Sequence, residues 1–157
     1  MSTESGSNHI LSNFQDSLDQ LRKDVLTMAS MAQLNLDHSV RGLLDREGSM
    51  CKAAIADDED VDQLEKRIDE EGMRILALYN PVATDLRAVV ATMKMATNIE
   101  RISDEAGNIA RRGRLVLKNP ELSEVNLLEP VYKLASDILN DSIRAFARSN
   151  RCLVACA

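Results

Sequence analysis

The sequence predicts an all-α protein, an antiparallel three-helix bundle with an extra C-terminal helix. Three observations carry that reading. Hydrophobic residues make up 45% of the 157 residues while aromatics make up only 3%, with no Trp, which suits helices packed through Leu, Ile, Val, Ala and Met and starves a β-sandwich or barrel. Apolar residues recur every three or four positions through most of the chain. The three prolines fall at Pro81, Pro120 and Pro130, so the first long stripe is uninterrupted.

Residues 1–8 are polar and are expected to be a disordered lead without the apolar core of a signal peptide. From Ile10 the positions Phe14, Leu18, Leu21, Val25, Met28, Ala32, Leu36, Val40 and Leu43 form one stripe, predicting a first helix over about 9–47. Gly48 reads as a stop, and Ser49 as the cap of a short helix through Ala56. An acidic turn at Asp57, Asp58, Glu59 and Asp60 should follow, then a second helix with Val61, Leu64, Ile68, Ile75 and Leu78 on its apolar face.

Asn80-Pro81 ends that helix, because the residue before a proline is pushed out of the α region. Thr84 is the expected cap of a third helix, with Asp85 in its first turn and its end near Leu117. The cations Arg111, Arg112, Arg114 and Lys118 suit a helix C-terminus. Residues 9–118 thus form the bundle and 119–124 a linker. A fourth helix spans 125–148 through Leu128, Val131, Leu134, Ile138, Ile143 and Phe146, and 149–157 form an atypical tail.

A net charge of -6 without a block of Lys or Arg excludes a nucleic-acid surface. No apolar run approaches the roughly 20 residues of a membrane span, so a cytoplasmic protein is expected. Cys51, Cys152 and Cys156 have neither disulfide nor metal spacing and are expected to be reduced thiols. His9 and His38 are isolated, neither follows a Glu by three residues, and a ferritin-like di-iron centre is disfavoured. Ser49 and Ser103 lack a His base, no phosphate-cradling loop is present, and no catalytic residue is expected.

The chemistry concentrates in acids. At about 100° per residue Asp58, Asp62, Glu65 and Asp69 share one strip of the second helix, which turns apolar at Met73 and Leu76. The third helix mirrors it: Leu86, Val90 and Met93, then Thr97, then Glu100, Asp104, Asn108 and Arg111. The short turn makes the two helices antiparallel, and counting about 17 residues back to Glu65 and 18 forward to Glu100 puts them within roughly 3 Å in height. By the same count Asp62 is level with Asp104.

Carboxylates so gathered repel, and compensation is open to two readings. Lys94, Arg101 or Arg111 could pair with them, leaving an acidic face for docking a basic partner. Alternatively Glu65, Asp69, Glu100 and Asp104, with Asp62 as an extra ligand, hold a metal ion. Oxygen-only ligands favour a hard divalent or trivalent ion such as Fe, Mg, Mn or Ca, with Zn less suited.

The run Leu78 to Arg87, LYNPVATDLR, and the run Thr97 to Arg111, TNIERISDEAGNIAR, resemble the PhoU family of phosphate-signalling regulators. The His9-Ile10 opening and Val25 to Met28 add to a likeness over about 8–148. The resemblance implies a fold of two three-helix repeats and multinuclear metal clusters on Glu/Asp-x-x-x-Asp motifs, which Glu65 to Asp69 and Glu100 to Asp104 match. It also implies no catalysis, and two partners: the ATPase of the phosphate ABC transporter and the histidine kinase of the phosphate regulon. Membrane contact would then be peripheral, through those partners. Such proteins restrain phosphate uptake and the starvation response when phosphate is plentiful. The sequence departs from that pattern after the first helix of the second repeat, giving Asn150 to Ala157, NRCLVACA. A shortened chain with an uncovered fourth helix is therefore expected, and with it a homodimer.

Overall fold

The computed structural model describes residues 4–154, and side-chain surroundings for residues 12–148. Four helices follow in order: α1 (Glu4–Leu44), α2 (Gly48–Tyr79), α3 (Ala83–Val116) and α4 (Leu128–Val154), the last preceded by a 3-10 turn at Ser123–Leu127. Among the described residues there is no strand, and no helix is long and apolar enough to cross a membrane.

The stripe on α1 lies in the core. Phe14, Leu18, Leu21, Val25, Met28 and Ala32 are buried against Val61, Leu64, Ile68 and Ile75 of α2 and against Val89, Ala96 and Ile99 of α3. Each large aliphatic side chain so buried contributes about 1.5–3 kcal/mol. Phe14 meets Tyr79 edge to face at 5.5 Å, joining the start of α1 to the end of α2 as antiparallel packing requires. At the other end of the bundle Arg46, at φ 57° in the turn after α1, donates to the carbonyls of Leu117 (3.1 Å) and Asn119 (2.7 Å), closing the turn over the C-terminus of α3.

Several expected boundaries move. The helix begins at Glu4, so residues 4–8, expected as a disordered lead, are helical; residues 1–3 lie outside the described residues. The first helix stops at Leu44, and Gly48 is the first residue of α2 rather than the end of α1. No acidic turn interrupts α2. Cys51, Ala54, Asp58 and Val61 form one continuous buried stripe, while Glu59 and Asp60 stay in solvent, so the acidic run winds through the helix without breaking it. Neither Ser49 nor Thr84 caps a helix; Glu47 and Val82 hold those positions without side-chain cap bonds. The fourth helix continues past Arg148 to Val154, since no Gly or Pro interrupts that stretch. Residues 155–157, and the side chains of His9 and Cys152, lie outside what is described.

α4 packs antiparallel on α1, and among the described residues it makes no close backbone approach to α3. Tyr132 Oη donates to Asp37, which also accepts from Arg41 Nε at 2.7 Å, and Gln33 Nε2 donates to Asn140 Oδ1 at 2.8 Å. Leu139 is the buried apolar contact of α4.

Candidate acidic site between the second and third helices

The turn at Asn80–Val82 fixes the register of α2 against α3. Asn80 sits in the left-handed region at φ 46°, its N–H bonded to Leu76 O at 3.2 Å, and the chain reverses at once. Gly72 then lies directly against Met93: a Cβ on Gly72 would fall 2.5 Å from Met93 Sδ. One level farther from the turn, Thr97 Oγ1 donates to Glu65 Oε1 at 3.1 Å. Farther still, Ser103 Oγ donates to Asp58 Oδ1 at 3.0 Å. Asp62 and Glu100 occupy the stretch between those two cross-links, and Asp104 lies just beyond the second.

The expected levels are each off by nearly one turn: Glu65 stands opposite Thr97, three residues short of Glu100, and the two cross-links put Asp62 level with Glu100 rather than with Asp104. Glu100 is pushed above the ordinary carboxylate range, first by partial burial and then by the negative charge of Asp62, Asp104, Glu65 and Asp58. Asp62 is raised as well, by partial burial and then by Asp58, with Glu59 and Asp104 adding and Lys66 opposing. Asp62 and Glu100 therefore form the centre of the acidic face, so the residue expected as an extra ligand is a central one. Asp69 is exposed and is not among the charges acting on either group; the register puts it toward the turn, level with Met93 and Thr97.

One acid in the strip is already neutralised. Asp58 is buried, and Arg111 Nη2 lies 3.1 Å from its Oδ2 while Arg111 Nη1 donates to Asn108 at 3.0 Å. Neither Lys94 nor Arg101 forms an ion pair among the described residues, so Arg111 alone of the three expected cations does so. Behind Asp58 the polar file continues inward: Asn35 of α1, fully buried, donates from Nδ2 to Ser103 Oγ at 2.9 Å. Gly107 makes room for Asp58, since a Cβ there would fall 2.9 Å from its Oδ2. Ser103 spends its hydroxyl as donor to Asp58 and acceptor from Asn35, a structural role rather than a nucleophile's.

Nothing in the sequence singled out Asn35, while Ser103 stood only as a hydroxyl without a base and Thr97 only as a position on the third-helix strip. The one available signal for Asn35 was its place on the α1 stripe, three residues after Ala32, where an unpaired amide would be costly. Chemically the face offers only carboxylate oxygens. Among the described residues no three or more Asp, Glu, His or Cys side chains converge to hold a metal ion, so the acids form an open row rather than a closed cage. Side-chain rotation would have to gather them around an ion.

A family model described as the PhoU domain matches residues 25–113, which takes in the acidic face and the Asn35, Ser103, Asp58 and Arg111 file. Relatives named phosphate-specific transport system accessory protein PhoU homolog include one from Pseudomonas putida, 31% identical over 92% of this chain and 57% of its own. A second, from Pseudomonas aeruginosa, is 33% identical over 92% of this chain and 60% of its own. The protein named PhoU in Escherichia coli is 31% identical over 89% of this chain and 58% of its own. The chain thus spans about three-fifths of the length of these relatives. With more than half of its residues inside the matched domain, on a three-helix bundle of the expected kind, this chain belongs to the PhoU family.

Proposed function

We propose that this chain is an accessory protein of phosphate transport, not an enzyme, that restrains the phosphate ABC transporter and its sensor kinase when phosphate is plentiful. It does so in the cytoplasm, as a homodimer, by presenting helical surfaces to the transporter ATPase and the kinase. The acidic face is its regulatory centre, where Asp62, Glu65, Glu100 and Asp104, with Asp69 at the margin, hold a hard metal ion.

The observation that supports this reading most is the raised position of Glu100 and Asp62, each pushed up first by partial burial and then by neighbouring carboxylates, while Arg111 is committed to Asp58. A bound cation removes that repulsion and prefers oxygen ligands. The test compares elemental content of protein purified without chelator with that of the Glu100→Gln/Asp104→Asn variant. Metal in the first and not the second supports the site; equal and negligible metal in both sinks it. In cells, deleting the gene should derepress a phosphate-starvation reporter in rich phosphate, and an unchanged reporter would remove the regulatory role.

A second reading has its own support. The open arrangement of the acids suits a metal-independent docking face for a basic partner surface. Charge-neutral variants would then weaken partner binding in a salt-dependent manner, with no effect of added metal or chelator.

A further inference from the structure

On the outer strip of α3 the acids Glu100 and Asp104 are followed at helical spacing by Asn108 and Arg111, so a cation closes the row of carboxylates. Arg111 crosses to α2, where its Nη2 lies 3.1 Å from Asp58 Oδ2. The two ends of that ion pair are held very differently. The Asp58 side chain is 11% exposed, accepts from Ser103 Oγ at 3.0 Å and rests against Gly107, where a Cβ would fall 2.9 Å from its Oδ2. The Arg111 side chain is 46% exposed, and among the described residues its one other partner is Asn108, on its own helix.

The guanidinium is therefore the partner able to leave. Its departure alone is unfavourable, because a buried carboxylate left without a counter-charge is strongly destabilising. Departure becomes favourable only when another cation arrives. Asp58 is placed to receive one, since its charge already acts on Asp62, four residues on, and on Glu100 across the helix pair.

We propose that Arg111 is an internal counter-ion that competes with the metal ion of the acidic face for Asp58. On loading, Asp58 passes from Arg111 to the ion, joining Asp62, Glu100 and Asp104, while the guanidinium swings out to solvent. The inference rests on the reading of this face as a metal site and names the residue that sets its affinity. The residues fit such an ion, because every donor is a carboxylate oxygen and a cation of the protein's own already sits among them. The exchange also accounts for the open row, as Asp58 Oδ2 is committed while Arg111 is in place. Loading thus leaves an unpaired guanidinium on the outer face of α3 beyond the acids it neutralises.

Calorimetric titration with Mn²⁺ tests this. Arg111→Gln should bind Mn²⁺ roughly tenfold more tightly than the wild type, because nothing then competes for Asp58. In an Asp58→Asn background, which keeps an acceptor for Ser103, the same substitution should change affinity by less than about threefold. The wild type reports the exchange without any substitution: saturating Mg²⁺ should move the Arg111 Nε–Hε resonance to the position of a solvated guanidinium. Affinity indifferent to Arg111→Gln, equal tightening in both backgrounds, or an unmoved resonance at saturation overturns the exchange and leaves the metal site standing. Failure of the wild type and Arg111→Gln alike to bind either ion overturns the metal reading, and the exchange with it.

Discussion

Near the Asn80 turn, α2 and α3 meet through Ile75, Gly72 and Ile68 in a cluster with Val89 and Met93; toward the other end of the same helix pair they meet through Asp58, Ser103 and Arg111. The apolar end is non-directional and tolerates sliding, because one aliphatic contact can replace another. The polar end is directional: two hydrogen bonds converge on one carboxylate, one of them the Arg111 ion pair, with Asn35 of α1 behind them. The apolar half therefore supplies most of the stability, and the polar half fixes which rung of α2 stands beside which rung of α3. Since Asp62 and Glu100 lie between Asp58 and Thr97, the polar half also decides which acids face each other.

That contrast can be broken from either end. Ile68→Ala, at a position 1% exposed, should cost the most, about 3 kcal/mol by denaturant titration, without shifting the raised carboxylates. Asp58→Ala should cost about 2 kcal/mol, because it strands Ser103 and Asn35 in the core while Arg111 can still turn to solvent. The register is read in Ser103→Ala, which keeps the Asp58 charge that itself acts on Glu100: nuclear magnetic resonance titration of the Glu100 carboxyl should be perturbed, and an unchanged titration would mean that the file does not set the register.

The two glycines sharpen the comparison. At Gly72 the obstructing atoms belong to the flexible end of Met93, and the helix propensity gained on going to alanine offsets the repacking, so Gly72→Ala should change stability by less than about 1 kcal/mol. At Gly107 the obstruction is a carboxylate pinned by Ser103 and Arg111, and Gly107→Ala should cost about 1–2 kcal/mol. Equal thermal melts for the two would erase the distinction between a yielding and a pinned contact.

Glu100→Gln gives the smallest effect and the opposite sign. A carboxylate raised in the folded state binds its proton more tightly there than in the unfolded chain, so stability falls as pH climbs from the unfolded carboxylate range through the raised folded value. The glutamine variant should be more stable at neutral pH by about 0.5 kcal/mol and should lose part of the gain seen on mild acidification. A melt series from pH 4 to pH 7 checks both.

The helix pair was legible in the residues because two clues were local. Asn80-Pro81 located the turn, and period-3.6 stripes located both faces, which was enough to bring Glu65, Glu100 and Asp104 to neighbouring levels. What sequence concealed was the share of α1. Asn35 reaches Ser103 only because α1 crosses behind the pair, and no spacing within α2 or α3 points to it. The run Asp57 to Asp60 misled for a related reason: four successive acids look like a solvated turn until Asp58 is found buried against Arg111. Asp69 shares the helical strip of Glu65, yet phase on one helix does not say how far the opposite row of acids extends.

α4 is tied to the bundle on one flank, through Tyr132, Asn140 and Leu139, and that asymmetry has a kinetic meaning. A segment with a single packed side can detach while α1, α2 and α3 remain assembled, so its amides belong to a separate, lower-energy opening unit in native-state hydrogen exchange.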